Sequence, residues 1–156
     1  MNRSTSFVVS GVSTETNTIA SIHSNGVIHS RSSGNPSAFA LLDRVPISSS
    51  SDTVAKDLTD ATVGEGRFDG TLKAGNATDF VCAGTGFSFD RATIQSIADA
   101  FSGTPVTSFT ARAADVWITR VKRMGPHLGY AIQFTEVHLE TGDKNDGHVK
   151  FTYRGP

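Results

Sequence analysis

Asp115-Val116-Trp117-Ile118-Thr119-Arg120-Val121-Lys122-Arg123 and, across Gly125-Pro126-His127-Leu128-Gly129, Tyr130-Ala131-Ile132-Gln133-Phe134-Thr135-Glu136-Val137 read as two antiparallel strands joined by a turn. Tyr130, Ile132 and Phe134 fall on one face at the two-residue period of a half-buried strand. The apolar phase then moves to Val137 and Leu139, which predicts a bulge near Thr135-Glu136. A Gly/Asp/Asn loop, Gly142 to Gly147, leads to a last strand in which Val149, Phe151 and Tyr153 alternate.

Upstream lies the one clear helical pattern. Ile94, Ile97, Ala98 and Phe101 stand at i, i+3, i+4 and i+7 and form an apolar stripe over Arg91 to Phe101. Asp90 fits the N-cap, Phe89 and Ile94 fit a hydrophobic staple, and Gly103 with Pro105 ends the helix. A helix of about three turns is stable only when its stripe packs on something, here a sheet. Val106 to Arg112 reads as a strand after it. Before it, Phe68, Gly70, Leu72 and Ala74 alternate with polar residues, Gly75-Asn76 makes a turn, and Thr78 to Phe89 reads as a strand bent at Gly84-Thr85-Gly86.

The first part of the chain is less regular. Phe7-Val8-Val9 with Val12 reads as a strand. Ile19 to Ser24 and Val27 to Arg31 flank Asn25-Gly26, a pair suited to a two-residue hairpin turn. Phe39 to Ile47 reads as extended and is closed by Pro46 and the serines 48–51. Asp52 is placed to cap a short helix running to about Asp60. Residues 1–63 hold 9 charged residues and residues 64–156 hold 20. The expected organisation is therefore Ser/Thr-rich N-terminal strands, hairpin and arm over 1–63, and a core over 64–156 with the helix at 91–101. With eight or more strands, the fold class is mainly β: a β-sandwich or half-barrel with one short α-helix packed on the sheet.

Composition agrees. Ser and Thr number 36 and Gly 15 of 156 residues, close to a third of the chain, which suits strands and turns better than helix bundles. A chain this long buries about 70% of its unfolded surface and needs no disulfide or metal to fold. Charged residues are 19% and the formal net charge is −1, which argues against electrostatic capture of nucleic acid or anionic lipid. Cys82 is the one cysteine, so there is no internal disulfide and no Cys-rich zinc site. Phe7-Val8-Val9 is too brief for a signal-peptide core, and runs such as Phe39-Ala40-Leu41-Leu42 are far too short to cross a bilayer. The expected protein is soluble, or joins an assembly directly from the cytoplasm.

The residues nominate no catalytic, cofactor or metal site. With Asn25-Gly26 as a turn, His23 pairs with Ile28 and His29 with Ile22, so the two histidines point to opposite faces and share no metal. Asp143, Asn145 and Asp146 lack the spacing and the later Glu of a calcium loop. Gly84-Thr85-Gly86 is neither a phosphate loop nor a dinucleotide fingerprint. Cys82 shares a face with Phe80, has no activating neighbour in sequence, and reads as a small buried hydrophobe. No serine stands in a nucleophile elbow, and Glu136, Glu140 and Asp115 read as solvent-exposed strand residues. Arg120, Lys122 and Arg123, with His127, form the one basic cluster. Arg120 and Lys122 share a strand face, Trp117 and Arg123 the other. These five residues are the candidate contacts to a neighbouring subunit, with a plain solvated hairpin as the alternative.

Three segments carry a family resemblance: Ser102-Gly103-Thr104-Pro105-Val106-Thr107 after the helix, then Val116 to Arg123, then Tyr130 to Val137. In that order, over about residues 66–141, they resemble the β-sandwich-plus-helix domain of bacteriophage tail and baseplate proteins, especially the distal-tail-like family. The resemblance implies a tail-tube-like fold and a structural virion protein without catalysis. It also implies a ring, often six-fold, built from copies of the chain and other tail proteins, assembled in the host cytoplasm and located in the phage tail. A second reading is a non-catalytic carbohydrate- or ligand-binding sandwich with Trp117, Tyr130 or Tyr153 as a stacking platform.

Overall fold

The computed structural model describes residues 18–48, 56–62, 67–75, 78–84, 86–122, 127–140 and 145–156. These form β1 (Ser21–His29), β2 (Ala38–Ala40), β3 (Val45–Ile47), β4 (Leu58–Asp60), β5 (Thr71–Ala74), β6 (Asp79–Cys82), α1 (Ile94–Ala100), β7 (Ser108–Thr110), β8 (Val116–Val121), β9 (Leu128–His138) and β10 (His148–Gly155). The strands make two five-stranded sheets, β1-β10-β9-β8-β6 and β3-β2-β4-β5-β7. Every pairing is antiparallel.

Alternation along β8, β9 and β10 turns Tyr130, Ile132, Phe134, Val149, Phe151 and Tyr153 toward the second sheet, where Phe39, Leu58, Leu72 and Phe109 meet them. Ring centres of Phe39 and Phe151 are 5.1 Å apart at 81°, and those of Phe109 and Phe134 are 5.8 Å apart. Such edge-on and tilted pairs suit the ring quadrupole and add to the stabilisation from burial. Tyr153 also ties the layers through its phenol, which donates to the Leu41 carbonyl at 3.2 Å. Burial, with the neighbouring Tyr130, pushes that phenol up to about 12, so it remains a donor throughout the physiological range.

Along one side the two sheets are stitched by backbone. Val106 exchanges hydrogen bonds of 2.9 and 2.8 Å with Phe80 of β6, and the next residue, Thr107, accepts from Ala74 of β5 at 2.7 Å. The result is a mainly β sandwich linked at one side, with one short helix on a sheet face.

That helix begins later than Asp90. Thr93 is the N-cap, and it makes a reciprocal capping box with Ser96, whose backbone N–H donates to Thr93 Oγ1 at 2.9 Å. Backbone bonds strap the same point to the chain before β1, with Ala20 donating to Ala92 and Ile94 to Thr18. Ile97 is the buried residue of the helix, and it packs with Phe89, Val116, Ile118 and Ala131 on the outer face of the first sheet. A second, smaller core therefore lies behind that sheet. Of the expected stripe, Ala98 is exposed.

Several sequence expectations are corrected by long-range pairing. Asn25-Gly26 is not a hairpin turn. Ser21–His29 is one strand paired along its length with β10, and Asn25, at φ 67°, sits in a bulge of that strand. Phe39 to Ile47 is a hairpin, β2 and β3 around a turn with Arg44 at φ 62°. Leu58–Asp60, expected in a helix, is a strand, and residues 52–55 lie outside the described residues. β5 and β6, which follow one another across the expected turn at Gly75-Asn76, belong to different sheets. β6 stops at Cys82, before the expected bend. Residues before 64, expected at the periphery, supply β1 to β4, and Phe39, Leu41 and Leu58 lie in the core. The expected first strand at 7–12 lies outside the described residues.

Candidate functional site

The helix covers only the β8–β9 part of the first sheet's outer face. The rest, over β1, β10 and β9, is open, and two bulges shape it. In β1, Ser24 and Asn25 together oppose the single residue Thr152 of β10, because pairing steps from His23↔Tyr153 to Gly26↔Phe151. In β9, Thr135 is the extra residue, because pairing with β10 steps from Glu136↔Lys150 to Phe134↔Phe151. This second bulge is the one the sequence predicts. Both irregularities therefore fall against the same three residues of β10, Lys150 to Thr152, from opposite sides. A bulge bends its strand and sharpens its twist. Two of them flanking one short segment fold the surface into a trough of about 480 Å³, lined by Ser24, Val27, His29, Thr135, Lys150 and Thr152.

The trough is chemically mixed. Three hydroxyls can each donate and accept, and Lys150 adds a cation whose Nζ is 3.5 Å from the Glu136 carboxylate. One end is walled by imidazoles. His29 of β1, His148 of β10 and His138 of β9 stand in one cross-strand row, with ring centres 5.9 and 5.1 Å apart. His148 faces acceptors on both sides: Nδ1 donates to the Asp146 carbonyl at 2.9 Å and Nε2 lies 2.6 Å from Glu136 Oε2. His138 Nε2 lies 3.1 Å from the Asp146 carboxylate. The hydrogen bond from His148 is the main reason that the Glu136 carboxyl is held below its ordinary range, with Lys150 adding to it. Among the described residues, no three of His, Cys, Asp and Glu are grouped to hold a metal ion.

His23 and His29 do lie on opposite faces, through a different pairing from the one expected. His23 stands opposite Tyr153, with ring centres 4.9 Å apart, on the inner side, and His29 opposite His148 on the outer side. Burial lowers both below the usual imidazole value. The Arg44 charge adds to this at His23, and the His148 charge adds to it at His29. The unfolded chain, with ordinary histidines near 6.5, therefore binds more protons than the folded chain once the pH falls below that value. No stability is lost at pH 7.5, where both states are neutral at these residues. Stability falls as the pH drops through 6.5 toward the folded-state values. Urea unfolding at pH 7.5 and pH 5.5 is expected to give the lower midpoint at pH 5.5, and the combined substitution of His23 and His29 by Gln to shrink that difference.

Of the five residues expected to meet a neighbour, the four that are described are not gathered on one surface. Trp117 points inward and stacks on Phe109 at 4.0 Å and 21°. Arg120 and Lys122 lie together on the outer face, as alternation predicts, and both close on the carboxylate of Asp79, at 3.5 and 2.6 Å. The acidic partner is thus within the chain. His127 is exposed at the start of β9, and Arg123 lies outside the described residues. Tyr130 and Tyr153 are core residues, so the stacking platform drawn from them and Trp117 does not form. Cys82, expected to be buried, is exposed at the end of an edge strand.

The sequence reading missed His138, His148 and the trough. A usable signal was present: matching inward Val137 with inward Val149 sets His138 opposite His148. His29 joins them only through the pairing of β1 with β10, which spans nearly the whole chain. No family model, curated protein or solved structure matches this chain.

Proposed function

We propose that the chain is a non-catalytic β-sandwich module that binds a hydroxyl-rich ligand, a carbohydrate, in the trough. The observation that carries this reading is the convergence of two bulges on Lys150 to Thr152. A bulge costs ladder hydrogen bonds, and two against one segment make a concave surface that a regular sheet lacks. Hydroxyls of Ser24, Thr135 and Thr152 match the alternating donors and acceptors of a sugar, and Lys150 and Glu136 supply charged partners. The His29 imidazole, which lines the trough, takes the place of the aromatic platform expected from Trp117, Tyr130 or Tyr153. A glycan array tests the reading. Wild-type protein is expected to retain a defined glycan class, and Lys150→Ala and Thr152→Val each to weaken retention about tenfold, the effect of losing one buried polar contact. Thr152→Val keeps the strand shape and removes only the hydroxyl. An array on which no glycan is retained, or on which both variants equal wild type, contradicts it.

A second reading, assembly into a ring of a phage tail or baseplate, rests on the motif resemblance and on one feature of the fold. The edge strands β1 and β3 lie on the same side of the sandwich, and that side exposes Ile22, Leu42 and Val45. Exposed edges and apolar side chains suit strand addition between copies. In this reading the protein works in the virion, in a six-fold ring around the tail tube. Sedimentation at high protein concentration separates the readings: a discrete hexamer supports the ring, and a monomer at all concentrations argues against it.

A further inference from the structure

Among the described residues, the charges on the helix side of the first sheet are not matched one to one. Asp79 is the acidic side chain that meets Arg120 and Lys122, and its Oδ2 takes both contacts while Oδ1 is buried with no partner. The Arg120 guanidinium lies 4.3 Å from the Phe101 ring centre, and its Nε–H is buried with no acceptor in the protein. Arg120 and His127 rim a cleft of about 270 Å³ between α1 and the sheet, whose apolar walls include Ile97, Phe101 and Ile118. At Gly129 the lack of a side chain lets Ile97 pack close to the sheet, since a Cβ there would come to 3.2 Å of Ile97 Cγ2.

We propose that this cleft binds a small amphipathic anion, a carboxylate on a short alkyl chain. The alkyl chain lies between Ile97, Phe101 and Ile118, and the carboxylate accepts from Arg120 at the rim with His127 beside it. The Arg120 side chain is partly exposed at the rim and one of its guanidinium nitrogens is engaged by Asp79, so its outer N–H groups can donate to a charged acceptor in the cleft. Among the described residues Asp79 is shared between Arg120 at the rim and Lys122 beside it, so the Arg120 charge is only partly offset, which complements an anion and not a second cation. At about 270 Å³ the cleft lies just below the usual range of ligand cavities, which starts at about 300 Å³, so the ligand is a small molecule. The cleft shares no lining residue with the trough, which lies farther along the same sheet face, and the inference stands apart from the carbohydrate reading.

Octanoate is the probe, with octanol and acetate as controls that remove the charge or the chain. Titration of the full chain followed by amide NMR is expected to give saturable shifts at Ile97, Arg120 and Gly129 with octanoate. Octanol and acetate are each expected to bind at least tenfold more weakly, since a charged hydrogen bond and several buried methylenes are each worth that much. Arg120→Gln leaves Lys122 on Asp79 and is expected to abolish the preference for octanoate over octanol. Ala98→Trp, at an exposed helix position lining the cleft, is expected to abolish binding by filling it. Octanol binding as tightly as octanoate, no saturable shift at the cleft, or octanoate binding that survives Ala98→Trp overturns the proposal.

Discussion

Replacing Gly26 by alanine is expected to destabilise the protein by about 3 kcal/mol, the upper range for forcing extra volume into a packed core. A Cβ at Gly26 would sit 2.4 Å from Cε2 of Phe151 and within 2.6 Å of two more ring carbons. The ring cannot step aside cheaply, because Phe39 and Phe134 pack on it edge-on at 5.1 and 5.9 Å. The strand cannot step aside either, because Asn25 beside it already holds the left-handed conformation of the bulge. The effect reaches the trough, since Gly26 opposite Phe151 fixes where the β1 bulge falls. Urea unfolding is the measurement, with a lowered midpoint at unchanged slope as the expected result. A change below about 0.5 kcal/mol, the scale of an ordinary surface substitution, would show that the ring does not fill this space.

Asp60→Ala is expected to cost about 3 kcal/mol or more. Asp60 is fully buried, and its two oxygens accept from three donors: Arg31 N–H at 2.9 Å, Thr62 N–H at 2.9 Å and Thr62 Oγ1 at 2.6 Å. Arg31 follows β1 of the first sheet and Asp60 ends β4 of the second, so the carboxylate joins the layers. The Arg31 guanidinium closes the loop by donating to the Thr62 carbonyl at 2.9 Å. Alanine leaves the two buried Thr62 donors without an acceptor, at about 1–3 kcal/mol each before relaxation, and the partly buried Arg31 N–H as well. Asp60→Asn is expected to cost less, because its one carbonyl oxygen still serves either Thr62 or Arg31 but not both. Equal stability of Asp60→Ala and wild type would mean that solvent or a local shift satisfies the three donors.

These two residues also show what was legible in the sequence. Alternation reports which face a side chain takes and not which strand lies beside it. It therefore located β8, β9 and β10, the inward rings and the Thr135 bulge, all within one continuous stretch. It could not pair β1 with β10 or send β5 and β6 to different sheets. Asn25-Gly26 carried real information, a left-handed residue, but a hairpin turn and a bulge require the same conformation, and the distant β10 chose between them. The helix shows the same limit at its start. Asp90 and Thr93 are both good caps, and the strap from Thr18 and Ala20 favours Thr93. Of the trough, one bulge was legible and the other was misread as a turn, so the concave surface between them was invisible. Arg120 and Lys122 were placed on the right face, but Asp79 is far off in sequence, so the cluster looked uncompensated.

Amide NMR during titration with a panel of neutral and acidic oligosaccharides is the decisive measurement for the proposal that a sugar binds in the trough over Lys150 to Thr152. The account predicts saturable shifts at Val27, His29, Thr135 and Lys150 to Thr152, with the amides of α1 unmoved. Shifts confined to other surfaces, or no saturable shift in the trough with any sugar of the panel, would contradict it.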